Sequence, residues 1–215
     1  MNIFEKNNVG FFRNNPVLGL SLGLTTALAI TTSLTNAIGM GIIMLLLLYM
    51  TSILCGFARK AVSADFRLPV NLAIIAFLVK LAELLIKAYA PKLAEGLGTF
   101  LPLLVASSLL LFAAGTFDKT EKTIGDLLGD NVKAGFAYFL ALVVLATVRE
   151  ILGTGGIIFH DPFRGTQLFS FNIIPTEFAL GLFMQPAGAL LVVALVAALF
   201  AAIANARAAT AKGGK

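Results

Sequence analysis

The sequence predicts an all-α integral membrane protein of six transmembrane helices, and three observations carry that prediction. Of 215 residues, 59% are hydrophobic and 13% charged, with a mean hydropathy of +0.94, well above that of soluble domains. No Asp, Glu, Lys, Arg or His occurs between Arg13 and Arg59, a run of 45 residues. At about 1.5 Å of rise per helical residue that run measures roughly 68 Å, enough to cross a ~30 Å hydrocarbon core twice. Lys and Arg, finally, alternate along the chain between clustered and nearly absent, as they do between the two sides of a membrane.

Residues 1–15 are polar, hold Glu5, Lys6 and Arg13, and lack the apolar core and small-residue cleavage site of a signal peptide. They read as a cytoplasmic segment ahead of a transmembrane domain over 16–206 and a tail over 207–215. The first span is expected over 16–38, a tight turn at Gly39-Met40-Gly41, and the second span to about Phe57. Inside the first, Thr31-Thr32-Ser33-Leu34-Thr35-Asn36 brings five side chains that must hydrogen-bond. That span should therefore be broken or packed against something specific. A basic loop over 58–67 leads to the third span at 68–90, and 91–95 reads as the next loop. The fourth span occupies 96–117. Over 118–133, Ile124, Leu127 and Leu128 at spacing three and four suggest a short helix on the membrane surface. The fifth span covers 134–152, an irregular loop runs to Pro175, and the sixth covers 177–205.

With the N-terminus cytoplasmic, eleven Lys and Arg fall inside, in four groups around Arg13, Arg59, Lys122 and Arg207. The outer loops hold only Lys92 and Arg164, so both termini are placed in the cytoplasm. The net charge of +5 is then a topology signal and not a nucleic-acid footprint. Six spans divide into halves of three, about 16–90 and 96–206, which must have opposite topology, the pattern of an inverted 3+3 repeat. Small hydroxyl pairs, Thr25-Thr26 and Ser107-Ser108, fall roughly 15–18 Å into the membrane from opposite sides by helix rise.

Several residues read two ways. The hydroxyl pairs either bond the carbonyl one turn back or mark a mid-membrane site. Lys80, Glu83 and Lys87 share one helical face and can neutralise one another. An intramembrane charge also marks an ion path, which makes Glu83 and Lys80 candidates, with Lys87 snorkelling to the headgroups. Arg149 and Glu150 point about 100° apart and need separate partners, which favours an interface or helix-end role over catalysis. His160, beside Asp161, is one ring without a set of metal ligands. Cys55 is the single cysteine, so no internal disulfide forms, and it reads as a small buried hydrophobe. Met40, Met44 and Met50 read as core or lipid-facing filler. No phosphate loop, dinucleotide fingerprint or nucleophile triad is visible, and no residue is assigned to catalysis.

The run Thr31 to Gly41, T-T-S-L-T-N-A-I-G-M-G, resembles the first-helix signature of the membrane subunits of Rnf (ferredoxin:NAD oxidoreductase) and Na+-translocating NADH:quinone oxidoreductase complexes. Arg67-Leu68-Pro69, Ile86-Lys87-Ala88-Tyr89-Ala90, Phe100-Leu101-Pro102-Leu103, Arg149-Glu150-Ile151-Leu152-Gly153 and Gln185-Pro186-Ala187-Gly188-Ala189 follow in the same order. The resemblance covers about 15–202 and is closest to the E-type component of the former and the D-type component of the latter. It implies a six-helix inverted repeat paired with a homologous sister subunit of opposite topology. It also implies a [2Fe-2S] cluster between the two near mid-membrane, held by two cysteines from each. The family's cysteines fall where this sequence has Thr25 and Ser108, in Gly23-Leu24-Thr25-Thr26 and Ser107-Ser108. Cluster ligands are soft and deprotonated, and a neutral hydroxyl is a poor substitute. No cofactor is therefore assigned to this chain alone. Flavin and further Fe–S chemistry would belong to other subunits, and the setting is a bacterial or archaeal cytoplasmic membrane, with no nucleic-acid partner.

Three functions stay open at this level. The chain is half of the membrane gate of a redox-driven Na+ or H+ pump without its cluster ligands. It is a degenerate paralogue with a structural or assembly role. Or it is a stand-alone inverted-repeat secondary transporter.

Overall fold

A computed structural model describes residues 22–116, 124–161, 166–172 and 181–212. The expected start of the first span, the charged stretch 118–123, Arg164 and the segment around Pro175 and Glu177 lie outside the described residues. Helices α1 (Leu24–Ile30), α2 (Leu34–Ala61) and α3 (Arg67–Tyr89) come first. Three short helices follow: α4 (Pro91–Leu97), α5 (Phe100–Leu103) and α6 (Ser108–Ala113). Beyond them lie α7 (Ile124–Thr154), a hairpin of β1 (Gly156–His160) with β2 (Gln167–Asn172), and α8 (Pro186–Lys212).

Among the described residues α2, α3 and α7 are long and apolar enough to cross a membrane, and α8 opens with a shorter apolar stretch, Pro186–Leu199. The spine of the molecule is the antiparallel pair α2 and α7. Leu34 meets Glu150, Gly41 meets the Phe139 ring, Ser52 meets Asn131 and Gly56 meets Ile124. Each step forward on one helix is a step back on the other. Glycines at 41, 56 and 135 leave room for Phe139, Ile124 and the Leu45 and Leu48 side chains, which lets two ~10 Å cylinders approach closely. Met40, Met44, Leu47 and Leu48 from α2 and Tyr138, Leu142 and Leu145 from α7 form the buried core around this seam.

Five expectations are corrected here. Gly39-Met40-Gly41 is not a turn but lies inside α2, with Gly39 against Leu93 and Gly41 against Phe139. The reversal occurs earlier, at Thr31–Ser33, where Thr31 Oγ1 donates to Ala27 O and Ser33 is extended. Residues 91–95 are helical, since Pro91 occupies the first turn of α4, where its missing N–H costs nothing. The surface helix and the fifth span are one continuous helix from Ile124 to Thr154. The all-α expectation yields to a β-hairpin, in which Ile157 pairs with Phe171 and Phe159 with Phe169. The fourth span, expected as one helix over 96–117, is broken as well. A 3-10 turn at Leu104–Ala106 and an extended Ser107 separate α5 from α6.

Candidate functional site

Helices α1 and α6 start from the same place and run in opposite directions. Gly23 caps the start of α1 with φ 71°, a left-handed conformation open to glycine, and a side chain there would press on the Tyr138 ring. Its backbone N–H donates to Ser108 Oγ at 3.3 Å, at the first residue of α6. From this contact α1 runs toward Arg149, and α6 runs toward Asn131 and Arg59. Tyr138 sits near the middle of the 31-residue α7, so the meeting point is near mid-depth of the bundle.

Two polar side chains brace this point from behind. Thr26 Oγ1 donates to Gly23 O at 2.8 Å, and the buried Tyr138 hydroxyl donates to Thr26 Oγ1 at 2.7 Å. Ser107 Oγ is buried without a hydrogen-bond partner among the described residues. Thr25 and Ser108, the two positions singled out in the sequence, are both exposed beside the contact. Both half-helix starts therefore meet at this contact, each with an exposed hydroxyl residue in its first two positions. Their helix dipoles direct partial positive charge there. Tyr138 is a member of this arrangement that sequence reasoning missed, because a lone tyrosine in an apolar span carries no spacing signal.

The residues present do not fit a [2Fe-2S] cluster. Ser108 Oγ is already engaged as an acceptor, and Thr25 offers a neutral hydroxyl where iron needs a thiolate. The sole cysteine, Cys55, is fully buried in α2 among core residues and supplies no ligand at this point.

The far end of each half-helix is closed by an arginine from a long helix. Arg149 of α7 is 1% exposed and makes five hydrogen bonds. Two of them tie Nη1 to Leu28 O at 2.8 Å and Thr31 Oγ1 at 2.6 Å, at the end of α1. The others reach Phe183, Met184 and Gln185 carbonyls at the 3-10 turn before α8, at 3.0, 3.2 and 3.4 Å. Thr31 Oγ1 in turn donates to Ala27 O. Beside it, Glu150 Oε2 accepts from the Leu34 N–H at 2.7 Å at the start of α2, and Oε1 accepts from the Ile158 N–H of β1 at 2.9 Å. A cation thus meets one helix C-terminus and an anion the next helix N-terminus, both in the favourable sense of the dipole. The two adjacent residues do have separate partners: Arg149 holds the end of α1 and the turn before α8, and Glu150 the start of α2 and strand β1.

At the other end, Arg59 of α2 donates to Gly115 O at 2.8 Å and Ala114 O at 3.3 Å. Asn131 Nδ2 donates to Ala113 O at 2.7 Å and Ser52 Oγ at 2.6 Å, and Asn71 Nδ2 to Thr116 Oγ1 at 3.1 Å and Ala114 O at 3.5 Å. Sequence reasoning did not single out Asn71 or Asn131. A buried amide within an apolar span is the signal that would have found them.

Lys80, Glu83 and Lys87 form one triad on α3. Glu83, with 8% of its side chain exposed, accepts Lys80 Nζ at 3.0 Å on one oxygen and Lys87 Nζ at 2.5 Å on the other. Both carboxylate oxygens are engaged by ammonium groups, and the triad carries one net positive charge.

The chain matches a family model described as "Rnf-Nqr subunit, membrane protein" over residues 3–197. It is 37% identical over 195 residues to the E-type component of an ion-translocating oxidoreductase complex from Shewanella oneidensis, covering 88% of this chain and 83% of that protein. It is 35% identical over 199 residues to the E-type component of a Na(+)-translocating ferredoxin:NAD(+) oxidoreductase complex from Acetobacterium woodii, covering 93% and 96%. A third relative, the E-type component of an ion-translocating oxidoreductase complex from Cellvibrio japonicus, is 37% identical over 196 residues, covering 88% and 81%.

Proposed function

The chain belongs to the Rnf-Nqr family of membrane subunits, and on that premise we propose that it is the E-type membrane component of an ion-translocating electron-transfer complex. In this reading it pairs with a homologous sister subunit of opposite topology in a cytoplasmic membrane, and the two enclose the gate. The observation that carries the reading is the meeting of α1 and α6 at mid-depth, with Thr25 and Ser108 exposed where a second chain would close over them. An inverted 3+3 arrangement of six spans accounts for the reciprocal caps. Each half would then supply one half-helix and one long helix, and each long helix would close the half-helix of the other half.

The chain contributes no thiolate at its half of the interface, so electrons crossing this point rely on ligands from other subunits or take another route. Electron paramagnetic resonance and iron analysis of the purified complex test this. The expected result is no reducible [2Fe-2S] signal sensitive to Thr25→Ala and Ser108→Ala. A signal lost in those variants would overturn it.

Glu83 belongs to this reading, with Lys80, as an intramembrane candidate for an ion path. Its two lysine partners favour the alternative of a purely structural ion pair in the conformation described. Glu83→Gln separates them: abolished ion transport with intact assembly supports the path, and unchanged transport supports the pair.

A further inference from the structure

We propose that the outward face of α3 around Lys80 is covered by a membrane-spanning segment of another subunit that carries an Asp or Glu at mid-depth. Lys80 is 64% exposed on its side chain, although it sits in the middle of a membrane-spanning helix. Two landmarks fix its depth. Asn71 lies level with Arg59, since both donate to Ala114 O near the end of α2. At the other end Gly39 of α2 packs against Leu93, and Asn36 donates to Gly96 O. Lys80 is nine residues from Asn71 and nine from Tyr89, where α3 ends just before the Leu93 level, about 13 Å each way by helix rise. A lysine side chain reaches roughly 6 Å, so its ammonium cannot snorkel to either headgroup layer. Lipid phosphate is therefore the wrong chemistry for this position.

Glu83 does not complete the neutralisation. Its two oxygens are divided between Lys80 and Lys87, which leaves the triad with an excess positive charge and Lys80 with two further N–H donors. In hydrocarbon such a group needs an acceptor, and a carboxylate is the one that also cancels the charge. The surroundings suit a helix. Phe77 and Leu84 flank Lys80 three residues before and four after, with Leu81 between them at helical spacing, and the three are 65%, 56% and 43% exposed in that order. They form an apolar strip beside a triad of one net positive charge, complementary to an apolar span with one anion. The inference requires only that α3 crosses a bilayer, so it is independent of what Thr25 and Ser108 do.

The test uses the whole complex in native membranes, with the photoreactive residue p-benzoylphenylalanine placed at Phe77 or Leu84. The expected result is a protein adduct, mapped by mass spectrometry to a transmembrane segment with an Asp or Glu within one turn of the attachment site. Lys80→Glu should reduce that adduct at least tenfold, and exchange of the partner's acid for Lys should restore it. Lys80→Gln, a milder change, should reduce it at least threefold, and serves where Lys80→Glu prevents accumulation of the chain. Adducts to lipid alone, an adduct on a segment without a carboxylate, or an adduct indifferent to both Lys80 variants would overturn the proposal.

Discussion

The two arginine-capped ends of the half-helices solve the same problem with different degrees of closure. At the α1 end, one fully buried guanidinium satisfies five oxygens from two parts of the chain, and an adjacent carboxylate starts the next helix and anchors the hairpin. At the α6 end, a partly exposed Arg59 shares three carbonyls with Asn71 and Asn131. Removal of one donor there leaves others in place. The first corner has a single keystone, while the second distributes the task, and the same C-terminal carbonyls therefore differ in how much each depends on one side chain.

Substitutions should widen or erase that contrast. Arg149→Met should have the largest effect, because it strands buried carbonyls at both α1 and the turn before α8. A loss of about 3–5 kcal/mol is expected from removing the charged member of a buried network, measured as lost thermal stability of the detergent-extracted complex or failure to assemble. Arg149→Lys should recover only part, since an ammonium cannot reproduce the planar fork. Glu150→Ala comes next, at about 1–3 kcal/mol for two unsatisfied amides, with increased protease cleavage in the hairpin as the local readout. Arg59→Ala should cost less than Arg149→Met, about 1–2 kcal/mol, and should approach it only when combined with Asn131→Ala. Equal effects of the two arginine variants would show that the ends are equivalent. The smallest change is Tyr138→Phe, about 1 kcal/mol for one buried hydroxyl bond, with no effect at either end.

The helix-end role of Arg149 and Glu150 was legible, because neighbours on a helix cannot share one partner and the following glycines announce an end. The polar run from Thr31 to Asn36 was legible as a break but not as a corner. A glycine pair such as Gly39 and Gly41 serves equally well for a turn or for close packing, and only the presence of Phe139 and Leu93 decides between them. The hairpin was missed for a related reason. Leu168-Phe169-Ser170-Phe171 has a weak strand period, and its partner strand is held through the Ile158 N–H by Glu150, a contact from another element. The meeting of Gly23 with Ser108 joins residues 85 apart, and helix rise alone could give their depths but not their contact.

The keystone at the first corner also arrives late. Leu28 and Arg149 are 121 positions apart, and Leu34 and Glu150 are 116 apart. At ~5–20 residues per second of translation, the α1 carbonyls wait about 6–24 s for their cap. The α6 end waits for Asn131 alone, 18 positions on, since Arg59 and Asn71 are already made. During biogenesis the amino-terminal hairpin must therefore sit in the insertion machinery or against lipid with an unfinished corner, and a nascent chain stalled before Arg149 would present that corner to quality control.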